Sequence, residues 1–320
     1  MKLNVRDFGA VGDQSAHDDA AFAKMLASIP VGRSCDVMIP EGHYTLVKDL
    51  SVNRQVRFHG EGWSKDASGS VLQFYHGTGL KFLDMAASWS EMDHIGIYGN
   101  RGDGVPQTGI QASCPILLDR IFVQGFNSTG ILFTGNAQDP IPSSSSSWVV
   151  QHSTVENVGG HGICAIGPDA NIGLASHCRL ITCGGFGACD LSLLGNYWEF
   201  LQTATCALGP CYGAFFDDQR SHWLYNYAEG DQPPAYFRSP AMVVGGFPAS
   251  GITADSNPGW IDHEGLRKST DWPPFVGYTW PDANMTPQPP FPKRGLSIAY
   301  TTEAERVAAV ARIAALTAAA

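Results

Sequence analysis

A short motif recurs through the middle of the sequence and limits the fold more than any other feature. A strand-like stretch with apolar residues at alternate positions is followed downstream by a Gly-Ile or Gly-Ala pair. Aligned on this motif, equivalent positions fall at residues 94, 120, 152, 177 and 203, with steps of 26, 32, 25 and 26 residues. A repeat of this length predicts one structural unit per repeat, stacked on its neighbours to bury a continuous core.

Strand alternation predicts which side chains face into the stack, because successive residues of a strand point to opposite sides. One inward row is predicted to hold Val56, Ile95, Ile121, Ser153, Cys178 and Ala204. A second inward row is predicted to hold Phe58, Ile97, Val123, Val155, Leu180 and Cys206.

The residues between these positions predict three outward rows, with successive members about 4.8 Å apart. The first row contains Gln55, His94, Arg120, His152, His177 and Thr203. The second contains Arg57, Gly96, Phe122, Thr154, Arg179 and Thr205. The third contains His59, Tyr98, Gln124, Glu156, Ile181 and Ala207.

These rows supply most of the candidate site residues. Histidine transfers protons, and arginine and amide groups bind hydroxyls and carboxylates, so the face suits a polyhydroxylated or carboxylated chain. The catalytic candidates are His152, His177, Arg179 and Glu156, and the substrate-binding candidates are His94, Arg120, Tyr98, Gln124 and Thr154. The alternative stays open that these positions form an ordinary solvated surface or a subunit contact.

Further candidates lie outside the outward rows. Asp217 and Asp218 are added to the catalytic set, because a glycosidase needs a pair of carboxyl groups about 5 to 9 Å apart. A lyase would instead need Arg or Ca²⁺ at a uronate carboxylate and a base beside it. Trp198 and Trp223 are candidates for stacking on sugar rings, although packing is the alternative for such large aromatics.

Composition excludes several classes of protein. With 44% hydrophobic and 16% charged residues, the 320-residue chain can bury a large core and is not mainly disordered. Its net charge of −10 argues against binding to nucleic acid. No apolar run of about 18 residues is present, so membrane insertion is not expected. The first 20 residues lack the apolar core of a signal peptide.

The eight cysteines include no CxxC pair, so a zinc site is not predicted. Most are expected to be buried thiols, and disulfides remain open among the last six. A three-histidine metal site is not expected from the spacing of the histidines, and no metal ligand is assigned. No Ca²⁺ motif is present, but Ca²⁺ stays open as a cofactor.

The first 62 residues contain four motifs in a fixed order. They are the turn Asp7 to Asp13 (DFGAVGD), the Asp18-Asp19 pair before an apolar helix ending near residue 29, the strand pair around Pro40-Glu41-Gly42-His43-Tyr44, and the Gly60-Glu61-Gly62 turn. This order resembles the amino-terminal signature of the pectate lyase superfamily. The resemblance implies an all-β, right-handed parallel β-helix with an amino-terminal capping helix, and structural roles for the acidic residues.

The domain prediction follows from where the repeat stops. Residues 1–230 are predicted to form the β-helix with its cap, and the helix covers about residues 19–29. Residues 231–294 hold 12 of the 20 prolines and are predicted to form an irregular segment or lid. Residues 295–320 are predicted to form a strand and a carboxy-terminal helix that starts with the capping box Thr302-Glu303-Ala304-Glu305.

Two functions are consistent with these patterns. The first is binding and cleavage of a cell-wall or cell-surface polysaccharide by a lyase or glycoside hydrolase. The second is a non-catalytic spike or adhesin that binds glycan, as a homotrimer or attached to a larger assembly. Both predict an extracellular or virion-associated protein, and the fold alone does not decide between them.

Overall fold

The computed structural model describes residues 1–63, 69–76, 78–103, 107–135, 143–192, 195–213 and 221–229. It also describes four short strands at residues 235–237, 242–246, 252–254 and 260–261. Over these residues the chain forms a parallel β-helix, in which each coil passes through sheet A, then sheet B, then sheet C. Each strand pairs in parallel with its equivalents in neighbouring coils.

The three sheets are built from short strands. Sheet A contains Lys2–Asn4, Cys35–Ile39, Val56–Gly60, Ser90–Asp93, Ile116–Asp119, Val149–Gln151, Leu174–Ser176, Tyr197–Glu199, the start of His222–Glu229, Met242–Gly246 and Trp260–Ile261. Sheet B contains Asp13–His17, Gly42–Leu46, Ser70–Phe74, Gly96–Tyr98, Phe122–Gln124, Thr154–Val158, Arg179–Cys183, Gln202–Ala204 and the end of His222–Glu229. Sheet C contains Leu50–Ser51, Leu80–Phe82, Ile110–Ala112, Ile131–Thr134, Ile163–Gly167, Phe186–Ser192, Gly209–Gly213, Ala235–Phe237 and Ile252–Ala254.

The predicted inward rows are confirmed in the central coils. Ile97, Val123, Val155 and Leu180 are register partners in sheet B and are fully buried. Ile95, Ile121, Ser153 and Cys178 are buried just before them. The last predicted coil is out of register, because Thr203 pairs with Leu180 and lies inside the stack. The prediction of an outward Thr203 is therefore wrong, and Ala204 takes the outward position beside Ile181.

The amino-terminal helix spans Asp19–Ala27, two residues shorter than predicted, and buries Phe22, Met25 and Leu26 in the core. Three short 3₁₀ segments accompany it in the described chain, at Val5–Phe8, Met85–Ala87 and Arg101–Asp103. Asp18 occupies the N-cap position without capping the helix. Its carboxylate instead accepts hydrogen bonds from the backbone N–H of Val11 at 2.7 Å and of Gly12 at 3.4 Å.

Asp19 has a similar structural role, because its carboxylate accepts hydrogen bonds from the backbone N–H groups of Val47 and Lys48. The acidic pair therefore ties the helix to the preceding glycine turn and to residues 47–48, which directly follow the strand Gly42–Leu46. Tyr44 packs edge-on against Phe22, with ring centroids 5.7 Å apart, and donates to the carbonyl of Pro40 at 3.0 Å. The motifs that carry the family resemblance thus contact one another.

Large aromatic rings fill the interior of the later coils. Phe133 stacks on Trp148 with centroids 4.3 Å apart, and Trp198 stacks on Trp223 at 5.1 Å. All four rings are fully buried. The prediction that Trp198 and Trp223 bind substrate is wrong, because rings enclosed by the coil cannot contact a polysaccharide outside it.

One buried carboxylate, that of Asp190, lies among these rings. Its oxygens accept hydrogen bonds from Trp198 Nε1 at 2.9 Å, from Asn196 Nδ2 at 3.0 Å, from Ser192 Oγ at 2.6 Å, and from Ser221 Oγ. Burying a charge is tolerated only when its hydrogen-bonding capacity is met. Asp190 therefore serves to join neighbouring coils from inside.

The eight cysteines are all free and buried, which confirms the expected buried thiols. Burial raises the pKa of Cys114 and of Cys178 to about 12, because an apolar environment disfavours the thiolate.

Coil stacking continues beyond the predicted boundary at residue 230. The four short strands between residues 235 and 261 pair in parallel with the preceding coils. The rest of the predicted lid to residue 294, and the predicted strand and helix of residues 295–320, lie outside the described residues. Within the part of the chain that the structure describes, no helix is long and apolar enough to span a membrane.

The contact between the glycine turn and Tyr44 can be tested with a matched pair of glycine variants. Gly12 has φ +68°, and an added Cβ would lie 2.8 Å from the Tyr44 ring, whereas Gly32 has φ +74° and no heavy atom within 4 Å. Gly32→Ala should cost about 1 kcal/mol of unfolding free energy from backbone strain, and Gly12→Ala about 2–4 kcal/mol because overpacking adds to it. Urea unfolding measures both, and equal losses would contradict the packing argument.

The Asp190 network predicts a large loss from an isosteric change. Asp190→Asn puts an NH₂ donor among groups that already donate, so unfolding free energy should fall by about 3 kcal/mol or more. Asp7→Asn, at an exposed position, is the control and should change stability by less than about 0.5 kcal/mol. Thermal and urea unfolding compare the two variants, and similar small effects would mean that the network is not stabilising.

Candidate functional site

In five consecutive coils, the chain bends between sheets A and B through one residue with left-handed backbone geometry. These residues, called the bend row, are His94, Arg120, His152, His177 and Phe200, with φ between 49° and 56°. The predicted alignment of His94, Arg120, His152 and His177 is confirmed, but they lie at a bend and not inside a strand. Phe200, not the predicted Thr203, is the next member of the row, because Glu199 pairs with Ser176. Gly60, not the predicted Gln55, is the position equivalent to His94 in the coil before it, because His59 pairs with Asp93.

A second row runs beside the bend row at the carboxyl ends of the sheet A strands. This acid row consists of the register partners Asp93, Asp119, Gln151, Ser176 and Glu199. Each member directly precedes a member of the bend row in the sequence. The in-register stacking of the coils therefore places a line of acceptor groups along a line of imidazole and guanidinium groups.

His152 is held by a carboxylate. Its Nδ1 lies 2.9 Å from Oδ1 of Asp119, and the other oxygen of Asp119 accepts a hydrogen bond from Arg120. A carboxylate only accepts, so Nδ1 of His152 carries the proton and Nε2 presents a lone pair. The His152 side chain is 46% exposed. This arrangement orients the ring and leaves Nε2 available as a base.

His177 is held through a hydroxyl instead. Its Nδ1 lies 2.7 Å from Ser176 Oγ, which in turn donates to Glu199 Oε1 at 3.1 Å. The single hydroxyl hydrogen of Ser176 points to the carboxylate, so His177 Nδ1–H donates to Ser176. The exposed His177 therefore presents a lone pair on Nε2 as well.

The rings of the bend row form a stack. His152 and His177 lie with ring centroids 5.4 Å apart and an angle of 29° between planes, and Phe200 stacks on His177 at 4.8 Å. Two histidines with the same tautomer therefore stand side by side at the surface. When one ring of such a pair is protonated on both nitrogens and the other is neutral, the neutral ring can remove a proton from a bound molecule and the protonated ring can deliver one.

A further pair of histidines shares one carboxylate nearer the amino terminus. Asp93 contacts His59 Nδ1 at 2.7 Å through Oδ2 and His94 Nδ1 at 2.9 Å through Oδ1. The prediction that placed His59 in the third outward row is wrong, because its strand belongs to sheet A. With this cluster, the polar surface formed by the acid row and the bend row extends over several coils.

The other predicted site residues that the structure describes, apart from the two tryptophans, lie on the outer face of sheet B, beyond the bend. Gln124 and Glu156 are register partners there, as are Thr154 and Arg179. Arg179 is exposed and its Nε donates to Gln202 Oε1 at 3.0 Å. The structure does not bring this set together with the acid row. Asp217 and Asp218 lie outside the described residues.

Tyr98 belongs to an aromatic cluster on the same face. It is buried against Phe122, which stacks on Trp63 with centroids 4.6 Å apart. Trp63 Nε1 donates to the backbone carbonyl of Arg120 at 2.7 Å. The buried Tyr98 ring therefore packs under Trp63, which also contacts the Arg120 bend.

Sequence reasoning missed the acid row as a functional unit. Its signal was present, since the residue before each aligned His or Arg is polar in every repeat from Asp93 to Ser176. The predicted rows began at the aligned His and Arg positions, so these preceding residues were assigned to no row. A left-handed bend turns both residues of each pair, such as Asp119 and Arg120, toward the same surface.

One buried cluster could hold a metal by distance alone. Ligand atoms of His161, Cys164 and Cys189 all lie within 4.8 Å of one another. However, the backbone N–H of Phe186 donates to His161 Nδ1 at 3.0 Å, so the neutral ring carries its proton on Nε2. With one ring nitrogen accepting and the other protonated, His161 is not arranged as a metal ligand.

Comparison with known proteins supports the fold. Residues 2–80 match the family model described as rhamnogalacturonase A/epimerase, pectate lyase-like. A search of curated protein sequences finds no match.

The solved structures that are similar to the chain include two with TM-scores just above 0.5. One is ORF18 of Geobacillus virus E2, with 13% identity, a TM-score of 0.51, and coverage of 82% of this chain and 61% of that one. The other is the catalytic domain of Agl-KA, with 16% identity, a TM-score of 0.52, and coverage of 82% and 46%. The chain thus spans less than two thirds of the length of either structure. The amino-terminal match and the parallel β-helix together confirm the resemblance of this chain to the pectate lyase superfamily.

Proposed function

We propose that the bend row and the acid row bind a polysaccharide and that His152 and His177 transfer protons in its cleavage. The observation that carries this proposal is the exposed, stacked histidine pair, with Nδ1 of each ring engaged from behind. Fixing the tautomer and the orientation of an imidazole is how proteins prepare it for general acid–base catalysis.

The mixed character of the neighbouring surface suits a sugar chain. On the outer face of sheet A, a half-buried apolar row of Leu117, Val149 and Leu174 leads to Tyr197, which is 42% exposed. It runs beside the acid row, two residues earlier in each strand. Sugars present both apolar ring faces and hydroxyls, so an apolar row next to hydrogen-bonding groups complements them.

The reaction that these groups favour is β-elimination at a uronate. One histidine, neutral with a lone pair on Nε2, removes the proton next to the sugar carboxylate, and the bond to the glycosidic oxygen breaks as a carbon–carbon double bond forms. The second histidine acts as an imidazolium, which carries a proton on both ring nitrogens, and it donates its Nε2 proton to the leaving oxygen. Arg120, 51% exposed and next to both Asp119 and the histidine pair, would bind the uronate carboxylate.

Hydrolysis is supported less by this edge. A glycosidase uses two carboxyl groups on either side of the scissile bond. Among the described residues of the acid row, Asp93 and Asp119 already accept hydrogen bonds from histidines or Arg120, and Glu199 from Ser176. The groups that project to solvent are imidazoles and a guanidinium, so proton transfer by histidine is the better match.

The proposal predicts separate effects for three histidine variants. His152→Ala and His177→Ala should each lower kcat about 100-fold or more on a uronate polysaccharide, because a general acid or base is removed. His17→Ala, at an exposed position of sheet B near the amino terminus, is the matched control and should retain activity. Ultraviolet absorbance of the unsaturated product and reducing ends are measured together, with and without Ca²⁺.

The outcomes of this assay distinguish the alternatives. Reducing ends without unsaturated product would replace elimination by hydrolysis. Binding to one glycan with no turnover of any polysaccharide, and only weaker binding in the two histidine variants, would identify a non-catalytic spike or adhesin. In that case an extracellular or virion-surface assembly, such as a homotrimer, becomes the setting to test.

A further inference from the structure

We propose that Cys164 and Cys189 are a disulfide-forming site that links two neighbouring coils of the β-helix. The two residues are direct register partners in adjacent parallel strands of sheet C. Such strands lie about 4.8 Å apart, within the range of Cα separations that a disulfide spans, about 4.4 to 6.8 Å. Their sulfur atoms lie within 4.8 Å of each other, so side-chain rotation is enough to join them.

The surroundings of the pair would protect the bond once it has formed. Both cysteines are fully buried on the outer side of sheet C, in an apolar cluster with Phe186 and Tyr212. Burial and the neighbouring Cys164 raise the pKa of Cys189 well above its usual range. The thiolate that attacks in thiol–disulfide exchange is therefore disfavoured in the folded coil. The disulfide is expected to form during folding, before the two thiols are buried.

The competing occupant of this cluster is a metal ion bound by both cysteines and His161. The hydrogen bond from the Phe186 backbone N–H to His161 Nδ1 argues against it, because metal ligation at Nε2 would then require an imidazolate. Because Nδ1 of His161 accepts this hydrogen bond, the neutral ring carries its proton on Nε2, where a metal would have to bind. Two cysteines without a third ligand make a poor structural zinc site but a complete disulfide.

The reaction balances with a disulfide oxidant such as oxidised glutathione. Each cysteine loses its thiol hydrogen and the two sulfurs form one bond, while the oxidant takes up two electrons and two protons and yields two glutathione thiols. The new bond closes a loop of one coil, from residue 164 to residue 189. Closing such a loop restricts the unfolded chain and stabilises the fold.

The test compares oxidised and reduced refolding of the full chain. Protein unfolded in guanidinium and dithiothreitol is refolded in a glutathione redox buffer, and a second sample is refolded in dithiothreitol. Peptide mapping by mass spectrometry without reduction should find a Cys164–Cys189 crosslink in the first sample only, with the mass of two hydrogen atoms lost. The oxidised protein should melt roughly 5 to 10 °C higher than the reduced protein.

Matched variants assign the stabilisation to this pair. Cys164→Ser should abolish the difference in melting temperature between the two samples, whereas Cys114→Ser, at a buried thiol in another coil, should keep it. Recovery of both cysteines as free thiols or glutathione adducts from wild-type protein refolded in the redox buffer would overturn the proposal, even if a variant fails to fold. Stoichiometric zinc bound to the purified protein and lost in Cys164→Ser would also overturn it.

Discussion

The pairing of backbone groups between successive coils is the constraint on which the rest of the structure depends. Every coil must offer its N–H and C=O groups to the coils before and after it, because buried backbone groups left unpaired are costly. The strands therefore stack in register, and equivalent residues of different coils become neighbours about 4.8 Å apart. A side chain that packs poorly in one coil also disturbs the packing of the next coil. Similar residues therefore form rows inside the stack.

The same constraint turns a sequence repeat into a surface. The bend between sheets A and B recurs in every central coil with left-handed geometry, so the residue at the bend and the one before it face outward together. Where the repeat supplies Asp-Arg, Gln-His or Ser-His, stacking assembles hydrogen-bonded pairs across coils, as with His152 and Asp119. The geometry of the bend row and the acid row thus follows from the packing of the interior. Inside the stack, the tryptophan rings and the Asp190 network stabilise the coils that carry the histidines.

Much of this fold could be predicted from the chain itself. The amino-terminal motifs and the repeat predicted a parallel β-helix, the inward rows, and the alignment of His94, Arg120, His152 and His177. The prediction failed where the step shortened to 23 residues, between Arg179 and Gln202, because apolar Phe200 occupies the bend and no longer marks it. It also failed for Trp198 and Trp223, because a tryptophan that fills a coil and one that stacks on a sugar look the same in a sequence.

The candidate site was harder to predict because its chemistry depends on contacts between coils. Asp119 and His152 are 33 residues apart, and Ser176 and Glu199 are 23 apart, so no local motif records either pair. The two histidines also differ in a way that only the packing reveals. Asp119 contacts His152 directly while also binding Arg120, whereas Glu199 reaches His177 through Ser176. The two rings are therefore oriented by different partners, and only the packing of neighbouring coils records that difference.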